Sequence, residues 1–208
     1  MSTILPAEPE KCIGVYGGSF DPIHHGHLRS ALEVMQHLSL SELRLMPSGN
    51  PPHRERARVS SEHRKAMLKL AVANTAGLVI DPRELERDQP SYTIDTLELI
   101  QQEMPRTALT LVMGMDQFST FETWHRWQEL LQRVRLAVME RPGEPLSASA
   151  RQILAGEFGK NIHIIKVTQL EISSSRIRAE LEQQRDIRFL LPLAVRNYIL
   201  QHGLYQDL

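Results

Sequence analysis

The stretch GVYGGSFDPIHHGHL, Gly14 to Leu28, packs four glycines and three histidines into fifteen residues directly after a short apolar run. Gly17-Gly18 close that run, SFDPI makes a turn, and the histidines fall where a helix would begin. Backbone N–H groups at a helix start are unpaired and carry the positive end of the dipole, and glycines let a ligand approach the backbone closely, so the pattern suits phosphate. His24 and His27, three apart, share one helical face, and Gly26 between them removes a side chain that would crowd a nucleotide. Two imidazoles so placed can grip one phosphate chain. The plainer reading of a histidine here is a surface or cap residue. Zinc held by His24, His25 and His27 is another, although no acidic or Cys partner stands at ligand spacing.

A second constellation is EISSSRIRAEL, 171–181. Ser173 to Ser175 can cap a helix, and as structure that is simply a good N-cap. Arg176 and Arg178 then lie in its first turns, where cations oppose the dipole unless an anion is bound between them and the open N–H groups. Phosphate binding resolves that conflict. The common glycine-rich alternatives fail: no G-x-x-x-x-G-K-[ST] occurs, and Gly17-Gly18 does not continue into G-x-G-x-x-G.

The elements that must position these residues follow from periodicity. Short aliphatic runs near 11–16, 43–46, 78–81, 108–113, 135–140 and 162–167 alternate with helical patterns near 28–38, 60–73, 93–104, 124–133, 147–157, 174–184 and 192–202. That alternation predicts an α/β fold, a Rossmann-like doubly wound and mostly parallel sheet with helices on both faces and ligands at the carboxyl ends of its strands. The irregular segments near 47–59 and 82–92 have the length of binding loops. With 208 residues, 41% hydrophobic, the chain suits a single domain, 1–208, whose last part from about 170 is helical and carries the SSSRIR motif.

Composition narrows the function classes. Lys and Arg total 24 against 25 Asp and Glu, which gives no global attraction to a polyanion and makes nucleic-acid binding a minority reading. The single Cys12 cannot form an internal disulfide and reads as a small buried hydrophobe in a reducing compartment. The N-terminal MSTILPAEPEK lacks a basic region followed by a long apolar one, and no apolar run approaches a membrane span. A cytoplasmic enzyme without a membrane partner is expected, with a homo-oligomer left open.

Together the two constellations resemble the HxGH-type nucleotidyltransferases, through Ser19, Phe20, Asp21, Pro22, His24, Gly26 and His27 and then Ile172 to Ser175, Ile177 and Arg178. Within them the chain is similar to the bacterial nicotinate mononucleotide adenylyltransferases. MPSGNPPHR at 46–54, SYTIDTL at 91–97, GMDQF at 114–118, WHRW at 124–127, ERP at 140–142 and LPLAVRNYILQHGLY at 191–205 extend the match over nearly the whole chain. Ser175, where many relatives carry Thr, keeps the hydroxyl.

The resemblance implies attack by the phosphate of nicotinate mononucleotide on the α-phosphorus of ATP, in NAD biosynthesis. No covalent nucleophile is needed, because the attacking oxygen is already anionic and catalysis reduces to positioning and charge stabilisation. It implies His24, His27 and Arg178 as catalytic residues. Gly17, Gly18, Ser19, Phe20, Ser174, Ser175, Arg178 and Arg141 would hold ATP. Thr93 beside the acceptor carboxylate, Asp116 on a ribose, Trp124 stacked on the pyridine ring, and Asn50, His53 and Arg54 would hold the acceptor. Mg²⁺ would arrive with ATP, since no carboxylate cluster offers an all-protein cage.

Spacing alone leaves other readings open. Trp124 and Trp127, three apart on a helix, equally describe a core pair; 51–58 is equally a solvated basic loop; Met113 and Met115 read as packing. A related enzyme with another phosphate-bearing acceptor such as phosphopantetheine, and a non-catalytic nucleotide sensor, are the competing function classes.

Overall fold

The computed structural model describes residues 11–49, 57–87, 89, 91–140 and 146–206. Six strands form one sheet: β1 (Lys11–Gly18), β2 (Glu42–Pro47), β3 (Leu78–Ile80), β4 (Thr107–Gly114), β5 (Arg135–Glu140) and β6 (Ile162–Lys166). Their order is β3-β2-β1-β4-β5-β6, and every pairing is parallel. The chain winds outward from β1 to β3, then returns to β4 on the other side of β1, so the order reverses between β1 and β4. In such sheets ligands bind at the carboxyl ends of the strands flanking that reversal. Here those ends are Gly17-Gly18 and Gly114.

The helices are α1 (His25–His37), α2 (Ser61–Val72), α3 (Thr93–Glu103), α4 (Met115–Phe118), α5 (Trp127–Arg133), α6 (Ala148–Ala155), α7 (Ser174–Glu182) and α8 (Leu193–Gln201). Alternation along β1 sends Tyr16 to one face of the sheet and Ile13 and Val15 to the other. On Tyr16's face pack Ala31 and Val34 of α1, Met67 and Leu68 of α2, Ile177 of α7 and Val195 and Ile199 of α8. On the other face pack Ile94, Leu97 and Ile100 of α3, Phe118 of α4, Leu130 and Leu131 of α5 and Ile153 of α6. Removing a fully buried Leu or Ile from water is worth about 1.5–3 kcal/mol, so these two layers hold the strand ends in register.

The expected alternation of strands and helices is present, and Met113 and Met115 are buried as packing residues. Cys12 is half-buried rather than buried, at the edge of the first layer. One expected helix changes. Residues 124–133 do not form a single helix: a 3₁₀ turn, Phe121–Thr123, ends at Trp124 in an extended conformation, Arg126 is left-handed, and α5 starts only at Trp127. Backbone with positive φ cannot continue a right-handed helix. Trp124 and Trp127 therefore do not share a helical face.

Among the described residues, no helix is long and apolar enough to cross a membrane.

Candidate active site

β1 delivers its two glycines to the switch point, and the chain then turns through Ser19 to Ile23 into α1. His24 is the N-cap of α1, not its first-turn residue: its Nδ1 accepts the His27 backbone N–H at 3.4 Å. An Nδ1 that accepts leaves the ring proton on Nε2, so His24 presents an Nε2–H donor. The His24 and His27 rings stack, centroids 3.7 Å apart and planes 23° from parallel. Gly26 makes room first for an imidazole. A Cβ there would stand 3.0 Å from the His24 ring and 3.4 Å from the Ile172 carbonyl oxygen, so the glycine expected to clear space for a nucleotide also lets the histidine pair form.

Across from this pair, Ser173 caps α7 by accepting the Arg176 N–H at 3.2 Å. Ser174 Oγ donates to the Pro22 carbonyl at 2.9 Å and so joins the second constellation to the first. Arg178 joins them again: Nη1 donates to the Asp21 carbonyl at 2.7 Å and Nη2 to Ser175 Oγ at 3.3 Å.

Two cavities meet at β1. The first, about 200 Å³, is lined by Ser19, His24, His27, Asp116, Thr168 and Ser174 among others. The second, about 260 Å³, is lined by Val15, Met46, Glu84, Ser91, Thr93 and Trp124 among others. Gly17, Gly18 and Gln117 line both. Thr93 opens α3, whose N-cap Tyr92 makes no side-chain capping bond, so the first N–H groups of α3 keep no side-chain partner at their cap. Ser91 Oγ is buried without a hydrogen-bond partner among the described residues.

The structure thus brings most of the expected site residues together, with differences. Phe20 lines neither cavity: its ring is fully buried against Tyr16 and His27 and supports the histidine from behind, so its side chain cannot touch ATP. Asp116 lines the histidine cavity and not the one holding Thr93 and Trp124, because α4 begins directly beyond β4. Ser175 and Arg178 are outside both linings, with Arg178 turned to the Asp21 carbonyl. Asn50, His53, Arg54 and Arg141 lie outside the described residues.

Sequence reasoning missed the groups that hold the SFDP turn. Asp21 is 3% exposed; its Oδ2 accepts the Arg58 N–H at 2.7 Å, and its Oδ1 accepts the Tyr205 hydroxyl at 2.7 Å. Burial, reinforced by the Asp21 carboxylate, pushes the Tyr205 phenol well above its ordinary value. Arg64, 4% exposed, donates from Nη1 to the Ser19 carbonyl at 3.0 Å and the Ser48 carbonyl at 2.7 Å, tying the loops after β1 and β2 together. Burial lowers its pKa against the opposing pull of Asp21 and Tyr205. Its signal was present: Arg64 precedes Met67 and Leu68 by three and four positions, which puts a charge on the apolar stripe of α2.

Known proteins resemble this chain in sequence and in fold. The cytidylyltransferase-like family model matches residues 15–180. A probable nicotinate-nucleotide adenylyltransferase of Pseudomonas aeruginosa is 45% identical over 210 residues, covering 94% of this chain and 98% of its own. One of Pseudomonas fluorescens is 46% identical with the same coverage. The chain belongs to the nicotinate-nucleotide adenylyltransferase family. The resemblance read from the motifs is thereby confirmed. Plasmodium falciparum nicotinic acid mononucleotide adenylyltransferase complexed with NaAD has the same fold, with a TM-score of 0.74 at 22% identity over 94% of this chain and 97% of that one. For a member of this adenylyltransferase family, the adjoining cavities at the switch point are the candidate active site.

Proposed function

We propose that the protein transfers the adenylyl group of ATP to nicotinate mononucleotide, giving nicotinate adenine dinucleotide and pyrophosphate. The observation that carries this reading is the pair of cavities sharing Gly17, Gly18 and Gln117, one with paired imidazoles and one with an aromatic shelf and an uncapped helix start. A phosphate oxygen of the mononucleotide attacks the α-phosphorus of ATP, and the bond to the bridging oxygen of the β-phosphate breaks, releasing pyrophosphate. His24 through Nε2–H and His27 stabilise the charge on the phosphoryl group in flight. The Ser19 and Ser174 end takes the leaving phosphates, with Arg178 drawn from the Asp21 carbonyl onto them. Mg²⁺ carried with ATP would neutralise charge on the leaving pyrophosphate. No three His, Cys, Asp or Glu among the described residues gather to hold a metal, and Asp116 is a carboxylate in the lining of the histidine cavity that would meet the ion there.

Trp124 supports the pyridine ring by stacking. The acceptor carboxylate meets the N–H groups at the start of α3, near Thr93 and the Ser91 hydroxyl, which has no partner among the described residues. Glu84, which accepts from Thr96 Oγ1 at 3.1 Å, keeps an acid out of its own corner of the cavity. A nicotinamide group would offer an NH₂ donor to those donors. One buried mismatch costs about 1–3 kcal/mol, so kcat/KM should favour the acid by roughly tenfold to a few hundredfold.

The test is ATP-dependent pyrophosphate release with nicotinate mononucleotide, nicotinamide mononucleotide and phosphopantetheine, on wild type and Trp124→Ala. Wild type should prefer the nicotinate form, and Trp124→Ala should raise KM for both pyridine acceptors while keeping much of their ratio. Equal kcat/KM for acid and amide would remove the carboxylate assignment. Turnover of phosphopantetheine alone would replace the acceptor.

A further inference from the structure

Arg126 has φ 54° and ψ 39°, a left-handed conformation that a side chain with a Cβ rarely adopts. Such a residue persists where its surroundings over-determine it, and here they do so through charge. Its Nε and Nη2 hold Glu129 Oε1 and Oε2 at 3.0 and 2.8 Å, on α5. The same guanidinium reaches back to α3, to Glu98 Oε1 at 3.0 Å and to Asp95 Oδ1 at 3.4 Å. One side chain thus spans the helix that follows the Trp124 loop and the helix that opens with Thr93. Immediately before it, His125 packs its ring on Tyr92, centroids 4.5 Å apart, and Trp124 leans on Phe121 at 5.4 Å. Thr93, Tyr92, Trp124 and His125 all line the larger cavity.

We propose that Arg126 is a positioning residue that clamps the two walls of the acceptor cavity, holding the Trp124–His125 segment against the start of α3 before substrate binds. The proposal rests on the acceptor assignment made above. Exposed ion pairs add little to global stability, and a third of the Arg126 side-chain surface is open to solvent. What the fork supplies is geometry: both walls are fixed by planar contacts that a single point charge cannot reproduce. Apparent affinity falls in proportion to the fraction of molecules with the competent arrangement, so releasing the clamp weakens acceptor binding without touching the phosphate cavity.

The experiment compares wild type with Arg126→Ala and Arg126→Lys. Arg126→Ala should raise KM for nicotinate mononucleotide about three- to tenfold, leaving kcat and KM for ATP within about twofold. Arg126→Lys should fall between the two. The wild-type advantage should shrink at about 1 M salt, where exposed charge pairs are screened. In a Trp127→Phe background, Trp124 emission in the substrate-free protein should shift to the red on Arg126→Ala. Unchanged acceptor KM with unchanged emission overturns the clamp, as does an equal loss for ATP and acceptor. If wild type does not turn over nicotinate mononucleotide but the emission shift appears, the acceptor assignment falls and the clamp stands.

Discussion

The imidazoles of His24 and His27 stack with their centroids 3.7 Å apart, and the first ring caps the helix that carries the second. One histidine is thus both a structural cap and part of the cavity lining, while its neighbour lines the same cavity without the capping task.

That division separates two variants. His24→Ala and His27→Ala should each lower kcat by on the order of 10²–10³ in steady-state assays, the usual loss for one charge-stabilising donor. Only His24→Ala should also lose about 1 kcal/mol of stability with the cap. His24→Asn should restore the melting temperature but not kcat. A near-wild-type kcat in folded His27→Ala removes its catalytic role.

Gly17 lines both cavities, and a Cβ built on it meets nothing within 4 Å. Gly17→Ala should keep its melting temperature within about 2 °C, since Gly-to-Ala changes at compatible backbone are worth less than about 1 kcal/mol. Its kcat/KM should fall about 10- to 100-fold as the methyl group displaces the reacting phosphates. Gly18→Ala is the opposite case. Its Cβ would come within 2.9 Å of the buried Phe20 ring, so thermal denaturation should show the loss first.

Tyr205→Phe deletes the hydroxyl that Asp21 Oδ1 accepts at 2.7 Å, in a buried site. An unsatisfied buried acceptor costs about 1–3 kcal/mol. At roughly 2–4 °C per kcal/mol for a chain of this size, calorimetry should find the melting temperature lower by about 2–12 °C. An unchanged melting temperature would show that Asp21 does not need this tether.

Glu33 of α1 accepts the Thr168 N–H at 2.6 Å and the Thr168 hydroxyl at 2.7 Å, fastening the segment after β6 that lines the histidine cavity. The Thr168 hydroxyl, with its backbone N–H and Arg29, holds the Glu33 carboxyl below its ordinary 4.5. A depressed carboxyl stabilises the fold above that ordinary value and loses the contribution as pH falls through the lowered one. The melting-temperature gap between wild type and Glu33→Gln should therefore be full above about pH 5 and close on acidification. A gap that does not change with pH would assign the effect to packing.

Strand and helix periods, the glycine pair ending β1, and the two constellations at 14–28 and 171–181 were legible in the sequence, because each is a local pattern read over a few residues. They sufficed for the parallel fold and the family, and they named His24, His27 and Ser174, which line one cavity. The tertiary structure decided which side chains line that cavity and which hold it up. Phe20 reads as part of a binding motif, yet packing on Tyr16 and His27 places its ring in the core. Trp124 and Trp127 read as one helical face until the left-handed Arg126 separates them. Asp21 and Tyr205 meet across 184 residues, and Arg178 reaches the Asp21 carbonyl across 157. No periodicity encodes such pairs, since a partner brought close only by the winding of the whole sheet leaves no mark in the local sequence on either side.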